Sequence, residues 1–323
     1  MTDKALRGSF TGKNCIVTGG AGFIGSNLAR YLNKVGARVI IIDNFSTGRK
    51  DNISDFNDLG INVVNADITV QSSTKNLYEN IDFVFHQAAV ASVPLSMEDP
   101  VLTQRHNVDG TVSALENSTH CGVGKFIFAS SSAIYGDTEY IPTNELVVAN
   151  PQSPYAEQKL AAEEHCKNYY KSNKLRTTSL RYFNVFGPYQ DPGSEYSAVI
   201  PKFINLALNN EDLIIYGNGK STRDFVFVDD VIQANLCAAI SEKSDGEAIN
   251  IAHGKTINIG DLANMIIEIT GSKSSVVHAS PRAGDIVHSA ADLTKARKLI
   301  GYESKTSMER GLSMTIDYFK QSV

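Results

Sequence analysis

Short apolar runs alternate with amphipathic stretches through the first half of the chain. The runs Asn14–Thr18, Arg38–Asp43, Asn62–Asn65, Phe83–His86, Lys125–Ser130 and Thr177–Tyr182 predict six strands. Between the first two, Phe23, Ile24, Leu28, Leu32 and Val35 fall on one helical face. Longer helical patterns run from about Pro100 to Cys121 and from about Ser153 to Asn173. Strands that alternate with helices pair in parallel through right-handed crossovers, so the pattern predicts an α/β fold with a doubly wound parallel sheet.

After Tyr182 the rhythm changes. Asn184–Tyr196 is rich in Gly, Pro and Asp and reads as a ligand-facing loop. Helices are predicted near Ala198–Leu208, Asp229–Ile240 and Ile259–Thr270, with short strands between them. The expected division is a nucleotide-binding domain over residues 1–182 and a smaller α/β lobe over 183–323. The segment at about 225–250 is expected to return to the first domain.

Composition narrows the function classes. With 42% hydrophobic and 20% charged residues, the chain of 323 is ordinary for a globular protein. Its net charge of −5 gives no electrostatic reason to expect nucleic acid or an anionic membrane as partner. No run approaches the ~18 apolar residues of a membrane span. Met1–Gly12 is polar and has no apolar signal core, so the expected location is cytoplasmic. Cys15, Cys121, Cys166 and Cys237 form no CxxC pair and read as reduced thiols. His278 and His288 are too isolated for a metal site, and no metal is expected.

Thr18-Gly19-Gly20-Ala21-Gly22-Phe23-Ile24-Gly25 follows a strand and opens a helix. Gly19 permits a tight turn, Gly22 lets backbone approach a pyrophosphate, and Gly25 brings helix and strand together. The first amides of the helix then hold phosphates. This fingerprint makes the sheet Rossmann-type. Asp43, ending the second strand, suits the adenosine ribose hydroxyls and repels a 2′-phosphate, so NAD is expected over NADP despite Arg49 and Lys50 nearby. Asp67 and Ile68 fit an adenine contact, and a plain turn equally well.

Tyr155-Ala156-Glu157-Gln158-Lys159 puts Tyr and Lys on one helical face. A phenol near pKa 10 is a poor base at neutral pH, but an ammonium and a positive nicotinamide both favour phenolate. The preceding strand ends in Ser130-Ser131-Ser132, and the carboxyl edge of an α/β sheet is where chemistry is placed. His86, inside a strand end, reads as a packed histidine rather than a catalyst.

With these motifs the chain resembles the extended short-chain dehydrogenase/reductases, and among them the UDP-hexose 4-epimerases that act on N-acetylated sugars. The stretches TGGAGFIG, DNFSTG, HQAAVASVP, FASSSAIYGD, PYAEQK, LRYFNVFGPYQDP, STRDFVFVDDV and RAGD carry the resemblance, in order, along essentially the whole chain. Counting back from Tyr135-Gly136, it implies Ser131 as the catalytic Ser/Thr, with Tyr155 and Lys159. It implies NAD contacts from Phe23, Ile24, Asn44, Ser46, Thr47, Gly48, Gln87, Ala88, Ala89 and Tyr182, and Asn107 as a structural asparagine. For a UDP-sugar substrate it implies Asn184, Arg223 and Arg282 on the diphosphate and Asp285 on the uridine ribose. Ser92, Ser132, Gln190, Val199, Tyr216 and Ser289 complete the implied substrate set. Arg181 has no such match and reads as structural. The resemblance also implies a redox-neutral inversion at C4 through a transient 4-keto sugar, and a homodimer through the two long helices.

Rivals remain within the fold. A 4,6-dehydratase needs an Asp-Glu pair after its catalytic Ser/Thr and a uronate decarboxylase places an acid there; Ser132 and Ala133 stand in those positions. The same scaffold also accommodates a 5-epimerase or 3,5-epimerase–reductase, a UDP-glucose or UDP-glucuronate 4-epimerase, and a non-catalytic NAD-binding sensor. Retention of Ser131, Tyr155 and Lys159 together argues against the sensor.

Overall fold

The computed structural model describes residues 3–191, 198–280 and 288–322. Its strands are β1 (Asn14–Thr18), β2 (Arg38–Asp43), β3 (Asn62–Asn65), β4 (Phe83–His86), β5 (Lys125–Ser131), β6 (Thr177–Tyr182), β7 (Asn184–Phe186), β8 (Leu213–Tyr216), β9 (Thr222–Phe227), β10 (Ala248–Ile251), β11 (Thr256–Asn258) and β12 (Val276–Ala279). Seven of them form one sheet in the order β10-β6-β5-β4-β1-β2-β3, with every neighbour pair parallel. The central strands read as unbroken apolar runs because helices cover both faces. Alternate residues then feed opposite layers. Val17, Ile41, Phe85 and Ile127 join a core with Leu28 and Leu32 of helix Phe23–Lys34. Ile16, Ile42, Val84 and Phe126 face Leu115 of helix Gly110–His120 and Ala162 of helix Pro154–Lys171.

The strand order reverses at β1, which lies between β2 and β4. Loops leaving the carboxyl ends of these strands diverge there and open a crevice, the usual ligand position in such sheets. A three-stranded sheet (β11-β9-β7) and a two-stranded one (β12-β8) are built from strands that follow β6 in the chain.

Four features depart from the sequence pattern. β5 runs one residue further than expected and includes Ser131. The expected helix from Pro100 to Cys121 is interrupted by a π turn, Arg105–Asp109, between Pro100–Gln104 and Gly110–His120. That wider turn holds Asn107, whose side chain accepts from the Val90 amide at 2.7 Å and donates to Gln158 Oε1 at 2.8 Å. The expected loop after Tyr182 begins instead with β7, because Asn184–Phe186 pairs in parallel with Phe225–Phe227. Helices Asp3–Phe10, Thr294–Ile300 and Met308–Ser322, absent from the pattern, bury Leu6, Phe10, Ala296, Leu312 and Ile316.

Among the described residues all four cysteines are free thiols and no His, Cys, Asp or Glu cluster could hold a metal. No helix among them is long and apolar enough to cross a membrane.

Candidate active site

At the crevice, a cleft with about 530 Å³ of empty space is lined by Gly19, Gly22, Asp43, Asn44, Ser46, Thr47, Gly48, Ile68, Gln87, Ala88 and Ala89. Ile42, Ala66, Val90 and His106 join them, which sequence reasoning missed. Gly19 is at φ +67°, and a Cβ there would stand 2.7 Å from the Ala88 backbone. Gly25 sits beneath, where a Cβ would meet the Gly19 carbonyl at 2.1 Å. Gly22 caps helix Phe23–Lys34 without any side-chain hydrogen bond, so the first turn keeps its amides for a ligand. These features fit a dinucleotide pyrophosphate. Phe23 and Ile24 are half-buried against the core and are not among the walls.

Asp43 is buried, and burial raises its carboxyl above the ordinary value. The Ala21 and Phe45 amides, donating at 2.9 and 2.8 Å, oppose that rise. Each oxygen keeps a second lone pair for a ribose hydroxyl. Partial burial would raise Asp67 too, but hydrogen bonds from Thr69 and Asn44 hold it below its usual range. Asp67 itself is outside the cleft wall, while its neighbour Ile68 is on it. Gly19→Ala should lower dinucleotide affinity about tenfold or more, through left-handed strain and the blocked approach to Ala88. The dinucleotide released on denaturing equal amounts of purified variant and wild type measures the loss.

Ser131 and Tyr155 lie close enough for the Ser131 hydroxyl to act on the Tyr155 phenol. Ser131 Oγ also accepts from the Ala133 amide at 3.1 Å, which caps the turn Ser132–Tyr135. Burial raises the phenol and the Ser131 hydroxyl pulls the other way, with a net rise. The lowering expected from Lys159 is therefore not realised in this arrangement. Lys159 is buried one turn along the helix, donates to the Ala129 carbonyl at 2.8 Å and lies 5.0 Å from the centre of the Phe128 ring. Burial lowers its ammonium to about 8. His86 bridges Thr18 and Thr111 at 2.9 and 3.0 Å, and burial, reinforced by the Lys159 charge, pushes it down to about 3. It is a neutral packing residue.

A cavity of about 240 Å³ opens beside Ser131 and brings together Ser132, Tyr182, Asn184, Arg223 and Ser289. Tyr182 turns its hydroxyl the other way, to Gln87 and to Asn235, which donates to it at 2.8 Å. Asn184 and Arg223 also border a larger cleft with Val199 and Tyr216. Pairing with β9 places Ser289, whose amide donates to the Thr222 carbonyl at 3.1 Å. Ser92 caps helix Val93–Glu98, accepting from the Leu95 amide, and lies outside both walls. So does Gln190, which donates to the Val185 carbonyl at 3.4 Å. Arg282 and Asp285 lie outside the described residues. The wall also holds His288, bonded through Nδ1 to Thr222 at 2.9 Å; no local motif marks that pairing.

Residues 15–252 match the model of the NAD dependent epimerase/dehydratase family. A UDP-glucose 4-epimerase of Thermotoga maritima, solved with UDP-glucose, is 37% identical, with 96% of this chain and 99% of that one covered at a TM-score of 0.90. A UDP-N-acetylglucosamine 4-epimerase of Methanobrevibacter ruminantium, solved with UDP-N-acetylmuramic acid, is 36% identical, covering 97% and 100% at a TM-score of 0.92. A UDP-N-acetyl-alpha-D-glucosaminuronate decarboxylase of Bacillus cytotoxicus is 36% identical over 325 residues, 96% of this chain and 98% of that protein.

Proposed function

The chain belongs to the NAD dependent epimerase/dehydratase family and groups with its UDP-sugar 4-epimerases, and on that premise we propose that it interconverts UDP-N-acetylglucosamine and UDP-N-acetylgalactosamine. One observation carries the choice of sugar: the small Ser289 lines the same cavity as Ser131. A small side chain there leaves room for an acetamido group in both orientations of the ring. Against decarboxylation, despite the similarity to a decarboxylase, Ser132 and Ala133 hold no acid next to Ser131.

The chain's own groups divide the work. Gly19, Gly22 and Asp43 would hold NAD, which would supply reversible hydride chemistry at the sugar's C4. Tyr155 takes the O4 proton, Ser131 shares and orients it, and the positive nicotinamide of bound NAD, with Lys159 one turn along the helix, would favour the phenolate. Asn184 and Arg223, joined by Arg282 and Asp285, anchor the UDP while the oxidised sugar turns over. An arginine fork suits a diphosphate because it donates parallel bonds. Exposed Met97, Val101 and Leu102 on Val93–Glu98 and Pro100–Gln104 support the reading of a homodimer.

Purified protein is incubated separately with UDP-GlcNAc, UDP-Glc and UDP-GlcA, with no added reductant, and products are resolved by anion-exchange chromatography. UDP-GlcNAc should turn over fastest and yield its C4 epimer. Faster turnover of UDP-Glc or UDP-GlcA, or loss of CO₂ from the uronate, overturns the assignment.

A further inference from the structure

Behind the reacting groups lies a buried ion pair that the mechanism above does not use. Glu163 sits on helix Pro154–Lys171, one turn beyond Lys159, and Arg181 lies in β6 beside Ser130 of β5. Arg181 donates from Nε to Glu163 Oε2 at 3.0 Å and from Nη2 to Oε1, so the fork engages both carboxylate oxygens. Ser130 Oγ donates to the same Oε2 at 2.8 Å. The remaining arm of Arg181, Nη1, donates to the Tyr135 hydroxyl at 2.8 Å, and that hydroxyl donates to Asn250 Oδ1 at 2.7 Å. Tyr135 closes the short turn that starts immediately after Ser131.

We propose that the Glu163–Arg181 pair is a positioning element for the epimerase reaction, which holds Ser131 in register with Tyr155. Ser131 is bracketed: Ser130 before it is tied to Glu163, and Tyr135 after it is tied to Arg181. Glu163 belongs to the helix that carries Tyr155 and Lys159. The strand bearing the serine and the helix bearing the base are therefore joined by directed bonds rather than by apolar contact alone. Stability does not require such a pair, since an apolar replacement of similar volume is often neutral or better. An apolar pair, however, fixes no direction. Misplacing a reacting group by ~1 Å can cost about a hundredfold in rate. Both residues are buried and neither lines the cavity beside Ser131, so their effect must pass through others.

The inference rests on Ser131 and Tyr155 being the reacting pair, and the test separates the two claims. Arg181→Lys keeps the charge but loses the fork. Glu163→Met/Arg181→Met removes both charges and leaves no buried unpaired ion, so it folds even if a single variant does not. With the fastest of the three UDP-sugars, kcat should fall about ten- to a hundredfold in each. KM should stay within about twofold and NAD content should be unchanged, because neither residue touches substrate or cofactor. In a Ser131→Ala background the same substitutions should cost little further rate, since the effect runs through Ser131. Wild-type kcat in the folded double variant, or full additivity with Ser131→Ala, overturns the proposal. If Tyr155→Phe retains activity, the reading of the site beneath it fails instead.

Discussion

Replacing Tyr155 by Phe should cut kcat by ~10²–10⁴, the usual contribution of a general base, while fold and NAD binding survive. The substitution keeps the ring and removes only the phenol oxygen near Ser131. The helix start does not depend on that oxygen. Ser153 accepts from the Ala156 amide at 3.3 Å, and the Tyr155 amide donates to Ser96 Oγ at 3.1 Å. Burial holds the phenol above its ordinary value, so an unassisted Tyr155 stays protonated at neutral pH. Base chemistry there needs more positive charge than Lys159, buried one turn away, supplies in this arrangement, and the nicotinamide of bound NAD would add it. Chromatography of the UDP-sugar products gives the rate, and NAD released on denaturation gives the occupancy. A Phe variant within about threefold of wild type would move the base elsewhere, with Ser131 the first candidate.

The sheet was legible because its strands obey one rule over and over: parallel strands covered on both faces are short apolar runs separated by helical periods. The glycine fingerprint was legible for a similar reason. Its constraint, Gly19 against Ala88, acts on a residue type, and only glycine satisfies it. β7 escaped because a three-residue strand containing Asn184 has no periodicity to detect. The π turn escaped because it answers to a partner, Gln158, far along the chain. The same holds at the site. Thr222 with His288, and Tyr182 with Asn235, are hydrogen bonds between distant segments, and spacing carries no trace of them. Lys125 is the extreme case. A lysine opening a strand reads as an exposed end, yet it is buried and donates to the Ala238 and Ser241 carbonyls at the end of helix Val228–Ile240. Local motifs marked the candidate residues for chemistry; the residues that hold them in place became visible only in three dimensions.

Ser289→Tyr should lower turnover of UDP-GlcNAc by up to about a hundredfold and spare UDP-Glc within a few-fold, because overfilling a packed site costs about 1–3 kcal/mol. The backbone at this position is fixed independently of the side chain. The Ser289 amide donates to the Thr222 carbonyl, and the Ala291 amide donates to buried Asp224 at 3.2 Å. Asp224 also accepts from the His253 and Gly254 amides, so the segment is pinned on a carboxylate that is itself held from several sides. A tyrosine at 289 therefore takes the existing backbone path, and its ring enters the cavity that Ser131, Asn184 and Arg223 share. It meets the acetamido group in at least one of the two orientations that the keto-sugar must adopt, and a reaction that needs both is blocked by one clash. A plain hexose presents only a hydroxyl at that carbon and still fits. The measurement is the ratio of initial rates on UDP-GlcNAc and UDP-Glc in wild type and variant, with NAD content as the control for folding. An unchanged ratio would mean that the C2 substituent lies away from Ser289, and substrate choice would then have to be sought at His288 on the same wall, held there by Thr222.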